Sequence, residues 1–255
     1  MKIQRLNMDN SWFIAFGGLR MLIDPWLFGE EVDFFPWFNT QWHKTKPLEV
    51  EKLPSFDVVL ITQKYPDHFH LETLNRIKPN IIIGPKSIQK QVASKLPEAA
   101  FYSFNDGLSN VLSSELNIHH LPTSRLIDPI YDALILEDGT SSICIASHGY
   151  PDILKKKELW ENLPPVELLI SPFDHYELPI FLGGTVAPGI EGLIHLSEAL
   201  QPKKIVATHD EDKHAKGLVI KFARITKAPS IASLEKHPIF QGKILDINNY
   251  NIHTL

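Results

Sequence analysis

Two short apolar runs open the pattern, Trp12-Phe13-Ile14-Ala15-Phe16 and Leu19 to Ile23, joined by Gly17-Gly18, and together they predict a β-hairpin. Asp24-Pro25 ends its second strand, because proline cannot continue a central ladder. Continuous apolar runs at 57–62 and 81–83 predict strands covered on both faces. Between them the spacing of Leu71, Leu74 and Ile77 predicts a helix, and a second is expected from about Ser87 to Leu96. This alternation of strand and helix is that of a sheet with helices packed outside it.

The middle of the chain turns to β. Strands are expected at Leu116 to Leu121, Ala133 to Leu136 and Ser142 to Ala146, the last two joined by an Asp138-Gly139 hairpin turn. A helix is expected around Lys155 to Asn162, a strand at Val166 to Ser171, a Gly- and Pro-rich loop from Gly183 to Gly189, and a helix near Ile190 to Leu200. A short strand at Ile205 to Thr208, a helix near Ala215 to Ile225 and a strand at Lys243 to Ile247 complete the pattern. Residues 28–47 read as an aromatic loop, with Phe28, Phe34, Phe35, Trp37, Phe38 and Trp42 interrupted by Pro36 and Pro47. So much aromatic surface packs in a core or subunit contact, or walls a pocket. With no repeat, low-complexity tract or linker, the chain reads as one domain, 1–255.

Composition adds exclusions. Hydrophobic residues at 44% and charged residues at 22% suit a globular core. A net charge of -5 argues against a general nucleic-acid binder. The single cysteine, Cys144, leaves no internal disulfide. No apolar leader opens the chain and no window approaches the roughly 18 apolar residues of a spanning helix, so the expectation is a cytoplasmic protein without membrane contact.

Four loops, each after a buried strand, concentrate polar chemistry: Gln63-Lys64-Tyr65-Pro66-Asp67-His68, Pro122-Thr123-Ser124-Arg125, Ser147-His148-Gly149 and Thr208-His209-Asp210. Loops at strand carboxyl ends of layered α/β folds tend to converge on one crevice. Imidazole nitrogens with a carboxylate oxygen are what Zn, Mn or Fe accept.

These segments resemble the metallo-β-lactamase superfamily, and within it the ascorbate-6-phosphate-lactonase-like branch of metal-dependent hydrolases. Leu22-Ile23-Asp24-Pro25-Trp26-Leu27 is similar to that branch's first strands, and Val59 to Thr62 with Asp67-His68 to the strand entering its His-x-His-x-Asp-His motif. Leu121-Pro122-Thr123, Ile145 to Tyr150 and Ala207-Thr208-His209 resemble its later loops. The resemblance spans nearly the whole chain and implies an α/β (α+β) fold, the four-layer αββα metallo-β-lactamase sandwich.

The departures from the family motif are specific. Gln63, Tyr65 and Arg125 stand where the first metal's histidines belong, and neither amide, phenol nor guanidinium replaces them as ligand. Asp67, His68 and His209 match the second metal's ligands, and His148 replaces the bridging aspartate. The resemblance therefore implies one divalent transition metal, zinc foremost with manganese or iron as alternatives, held by Asp67, His68, His148 and His209. Asp67 is also the candidate catalytic base. Arg125, Gln63, Tyr65 and His175 are candidate substrate contacts, with Arg125 placed to hold a carboxylate or phosphate.

Other readings of the same residues stay open. Asp67 and His68 suit the cap of the following helix, and His70 suits the surface or a supporting position. His119 and His120 alternate along a strand and read as structural. Lys213 and Lys216 read as solvated lysines or as contacts for an anionic substrate. The functional expectation is hydrolysis of an ester, lactone or phosphoester small molecule. The alternative is a catalytically inactive scaffold that binds an anionic small molecule; homo-oligomerisation through the aromatic segment is a further expectation.

Overall fold

The computed structural model describes residues 1–104, 116–124, 130–209 and 212–255. The chain divides into two compact units. The first is Met1–Leu116 with Asp212–Ile220 and Asn248–Leu255, and the second is Asn117–Glu211 with Lys221–Ile247.

The first unit is built on a seven-stranded sheet ordered His253–Thr254, Lys2–Arg5, Trp12–Phe16, Leu19–Ile23, Val58–Leu60, Ile81–Gly84, Ala100–Ser103. The anticipated hairpin forms in antiparallel register, Trp12 opposite Ile23 and Phe16 opposite Leu19. From Leu19–Ile23 onward the strands run parallel. Parallel neighbours need crossovers, and these contain the helices Leu71–Ile77 and Gln89–Lys95, the second preceded by a 3-10 turn at Lys86–Ile88. One core gathers Phe13, Leu22, Val59 and Ile82 from the sheet with Leu74, Ile88 and Val92 from the crossovers. Ile14, Met21, Val58 and Leu60, of opposite parity, are buried too, which explains the continuous apolar runs.

The same unit holds a three-stranded antiparallel sheet of Lys213–Gly217, Asn39–His43 and Glu31–Asp33. Two expectations fail here. The aromatic loop 28–47 contains two strands, and the helix expected near Ala215 to Ile225 is replaced by a strand, a short helix Val219–Phe222 and another strand, Arg224–Thr226. Gly217 explains the break. Its φ is +115°, and a Cβ there would lie 2.6 Å from the Phe38 carbonyl oxygen, so helical backbone cannot pass through it.

In the second unit the main sheet runs Ile244–Leu245, Lys204–Ala207, Val166–Ser171, Ser142–Ile145, Ala133–Glu137, Asn117–Leu121. Its first four strands are parallel; Ala133–Glu137 then pairs antiparallel with Ser142–Ile145 across the Asp138-Gly139 turn, and Asn117–Leu121 pairs antiparallel with Ala133–Glu137. There the Asp138 carboxylate accepts the Thr140 and Ser141 amides at 3.0 and 2.9 Å. The helix Gly189–Leu200 buries Leu193, Leu196 and Leu200 in a cluster with Cys144, Leu169 and Ile205. The helix expected around Lys155 to Asn162 is instead a set of turns with one 3-10 turn, Lys157–Leu159. The Trp160 and Leu163 amides reach back only three residues, and Pro164-Pro165 stops any continuation. The loop expected at Gly183 to Gly189 contains a strand, Thr185–Pro188, which pairs with His175–Glu177. Among the described residues no helix is long and apolar enough to cross a membrane.

Candidate metal centre

In the first unit, strand register places the chemistry. Leu19–Ile23 lies parallel to Val58–Leu60 with Ile23 beside Leu60, so the residues just beyond both strands are neighbours. Asp24 takes up that position with φ +46°, unusual for a non-glycine residue. Its Oδ1 accepts the Thr62 amide at 2.7 Å, and its Oδ2 lies 2.5 Å from Thr62 Oγ1 and 2.7 Å from His68 Nδ1. The Nδ1–H of His68 is thereby committed to a carboxylate and Nε2 is left as the donor atom, the usual support for a metal-bound histidine. His68 is fully buried, and its Nε2 lies 3.9 Å from Asp67 Oδ2. Burial by itself would lower the His68 pKa, but the charges of Asp67 and Asp24 outweigh it and raise the pKa to about 8.

The turn presenting this pair is closed by the Tyr65 carbonyl, which accepts the His68 and Phe69 amides at 3.0 and 2.7 Å. Asp67 and His68 do not cap the helix that follows. The cap is His70, which is buried and whose Nδ1 accepts the Thr73 amide at 3.2 Å. Gln63 is buried in the same loop, and Tyr65 is half-buried beneath the Lys64 ammonium.

A second group was not visible in the motif. The polar segment Asn7 to Ser11 is buried and braced on itself: Asn7 Oδ1 accepts the Asp9 and Ser11 amides at 3.0 and 2.9 Å, and Ser11 Oγ donates to the Asp24 carbonyl at 2.6 Å. Asn10 Nδ2 donates to the Asp67 carbonyl at 2.9 Å. Asp9 is thereby carried to within 4.8 Å of Asp67, carboxylate to carboxylate. Lys213, read as a solvated lysine or a substrate contact, lies on the strand Lys213–Gly217 with its side chain buried and pairs with Asp9 Oδ2 at 3.1 Å. The only sequence sign of this group was a run of polar residues between two strands of one sheet.

In the second unit the parallel strands Ser142–Ile145, Val166–Ser171 and Lys204–Ala207 end in step, Ile145 beside Ile170 and Ser171 beside Ala207. The loops after the outer two deliver His148 and His209. Their rings lie 4.3 Å apart between centroids, inclined by 32°, and each offers a nitrogen within 4.8 Å of the other's. Both are buried, and His209 has φ +51°. A non-glycine residue in that conformation is held there by its surroundings, as at many functional sites. Asp174 is occupied elsewhere: Lys227 Nζ donates to it at 2.6 Å and the Ala228 amide at 2.8 Å. His175, next to it, is on the strand His175–Glu177 between Pro188 and Thr226. His119 and His120 bond Glu137 and Asp132 within the sheet, as structural residues do. The loop toward Arg125 is fixed as far as Ser124 by Asp132, which accepts the Thr123 amide at 2.7 Å, and Asp152, which accepts the Ser124 amide at 2.6 Å. Arg125 lies outside the described residues.

Both groupings have the composition of transition-metal ligands: an oriented imidazole beside a carboxylate, and two buried imidazoles facing each other. The family comparison agrees. Residues 6–209 match the model of the beta-lactamase superfamily domain, and the chain belongs to that superfamily. Its mixed α/β architecture, with several sheets and few helices, is that of metallo-β-lactamase-fold structures. An isothiocyanate hydrolase from Delia radicum gut bacteria is similar over 100% of this chain and 99% of its own, with TM-score 0.63 and 18% identity. Igni18, a metallo hydrolase from the archaeon Ignicoccus hospitalis, is similar over 100% of both chains, with TM-score 0.63 and 15% identity. A possible metal-dependent hydrolase from Veillonella parvula is similar over 100% of this chain and 99% of its own, with TM-score 0.67 and 13% identity. At these identities the likeness is one of fold. No curated protein matches the chain in sequence.

Proposed function

We propose that the chain is a metal-dependent hydrolase with a mononuclear centre, in which Asp67, His68, His148 and His209 hold one divalent transition metal, zinc foremost. The observation that carries this reading is the buried Asp24–His68 pair, 2.7 Å between Oδ2 and Nδ1, which fixes the tautomer a metal ligand needs. The facing rings of His148 and His209 support it independently. When bound, the ion supplies a coordinated water with a pKa near 7 and polarises the bond to be cleaved, as in other metallohydrolases. This chain's own groups do the rest. Asp67 would ligate the ion or, where it lies beyond bonding reach of it, be the base that orients the attacking water. Gln63, Tyr65, Arg125 and His175 contact the substrate, with Arg125 answering a negative charge. The substrate class is an ester, lactone or phosphoester, and the branch is the ascorbate-6-phosphate-lactonase-like one; both rest on the sequence resemblance.

Metal analysis of protein purified without chelator tests this reading. About one ion per chain is expected, lost in His68→Ala and in His209→Ala, together with hydrolytic activity toward small esters or lactones. A folded wild-type protein without bound metal would instead favour the inactive anion-binding scaffold.

A further inference from the structure

In the first unit the strands Glu31–Asp33 and Asn39–His43 are joined by five residues without charge, Phe34-Phe35-Pro36-Trp37-Phe38. Backbone bonds shape this turn. The Phe35 amide donates to the Asp33 carbonyl at 2.7 Å, the Phe38 amide to the Phe35 carbonyl at 2.8 Å, and the Thr40 hydroxyl to the Pro36 carbonyl at 3.0 Å. Just beyond the strand Lys213–Gly217, the amides of Leu218 and Val219 hold the Trp37 and Phe38 carbonyls, each at 3.0 Å. The rings are left outside. Phe35 and Trp37 stack at 5.8 Å with 6° between their planes, and half-buried Phe38 meets Trp37 at 6.0 Å and Phe34 at 5.5 Å, both edge-on. The four rings thus form one continuous patch, in which Phe34 is 82%, Phe35 57% and Trp37 65% exposed. Phe34 also has φ +58°, a conformation rare for a bulky residue. The turn carries a backbone cost and an apolar exposure that its own burial does not offset, and both features gather at functional surfaces.

We propose that this turn is the centre of a two-fold interface with a second copy of the chain. The three exposed rings present roughly 400 Å² of apolar surface, close to the apolar share of one side of a standard interface, which is about 800 Å² and a little under two-thirds apolar. Interface centres are enriched in Trp and Phe and depleted of charge, and rings already fixed by the backbone lose little freedom on docking. A two-fold contact needs no complementary patch elsewhere, because the same rings meet across the axis. Charge argues against a lipid surface as the occupant. Peripheral membrane anchors set lysine and arginine beside their aromatic residues. Here Glu30, Glu31 and Asp33 lead into the turn, and Lys216 on the adjoining strand is engaged by Glu30 at 3.5 Å. The interface is also narrower than the whole aromatic segment. Phe28 packs on the core of its own unit, and Trp42 lies against His214 at 5.7 Å. No proposed metal ligand belongs to the turn, so the inference stands apart from the hydrolase reading.

Sedimentation equilibrium of the full chain at micromolar concentration tests it. Wild type is compared with Trp37→Ser, Phe35→Ser and a control, Ile180→Ser, which removes a still more exposed apolar side chain from the second unit. Circular dichroism checks folding. Wild type is expected at twice the 29.0 kDa chain mass. Trp37→Ser and Phe35→Ser are each expected to raise the dissociation constant by roughly tenfold or more, and Ile180→Ser to match wild type. A monomeric wild type overturns the proposal, as does a dimer that both ring variants leave intact or that Ile180→Ser weakens equally. Flotation with mixed phosphatidylcholine and phosphatidylglycerol vesicles completes the test. A monomer that floats with the vesicles, and no longer does so as Trp37→Ser, would overturn the second copy in favour of a lipid surface.

Discussion

Asp24 Oδ2 lies 2.7 Å from His68 Nδ1, with both side chains withdrawn from solvent, so a residue forty-four positions upstream sets the orientation of the central imidazole. Asp24→Asn retains the shape but replaces the carboxylate with an amide. Metal affinity is expected to fall roughly 10- to 100-fold, the usual cost of removing such support. The His68 pKa is expected to drop from about 8, because one of the charges that raise it is gone. Isothermal titration with Zn²⁺ and histidine NMR of the metal-free protein check both effects.

Asp67 and His70 separate ligation from capping. Asp67 does not cap the helix Leu71–Ile77, whose cap is His70. Asp67→Ala is therefore expected to lower metal content while costing less than about 1 kcal/mol of stability, and His70→Ala to cost about 1 kcal/mol with metal retained. Urea unfolding of the metal-free proteins gives the stabilities. A large loss for Asp67→Ala with metal unchanged would restore a structural role.

Lys213 and Asp9 are buried partners, 5% and 0% exposed in their side chains. Lys213→Met leaves the Asp9 charge without its bonded ammonium, and breaking a buried pair from one side typically costs about 3–5 kcal/mol. The double change Lys213→Met/Asp9→Leu should recover most of that loss, as measured by denaturant midpoints.

Glu31 gives the pH dependence. Burial, reinforced by Asp33 and Asp67, raises its pKa to about 10, above the ordinary carboxylate value of 4.5. Stability associated with a raised pKa is complete below the unfolded value and declines as pH climbs toward the folded one. Metal-free wild type should thus weaken between about pH 4.5 and 10 through this group. Glu31→Gln, which cannot ionise, should be more stable than wild type at pH 8. The advantage should vanish near pH 4.5, and thermal melts at the two pH values measure it.

Much of this was legible in the sequence. The hairpin at residues 12–23, the strand Val166–Ser171 and the helix Gly189–Leu200 follow from local apolar pattern, since each element's own residues meet a core. The places of Asp67, His68, His148 and His209 in loops after buried strands follow from the same pattern, while their ligand role is the proposal above. What was hidden depends on partners far along the chain. Lys213–Gly217 carries helix-like residues and becomes a strand only because Asn39–His43 and Gly217 hold it there. Asp9 and Asp24 lie outside any motif, and only sheet register brings Asp24 to His68.

The loop positions also predict the effect of restoration. Returning histidines at Gln63, Tyr65 and Arg125 should permit one additional zinc ion per chain, counted by equilibrium dialysis. An unchanged zinc count would mean that these loops do not correspond to the family's first site.

The most direct measurement of the central claim is an anomalous-scattering map collected at the zinc edge from crystals of the native protein. The account predicts one peak bonded to Asp67, His68 Nε2, His148 and His209 at about 2.0–2.2 Å. A map without a peak there, or one whose peak is ligated by other side chains, would contradict it.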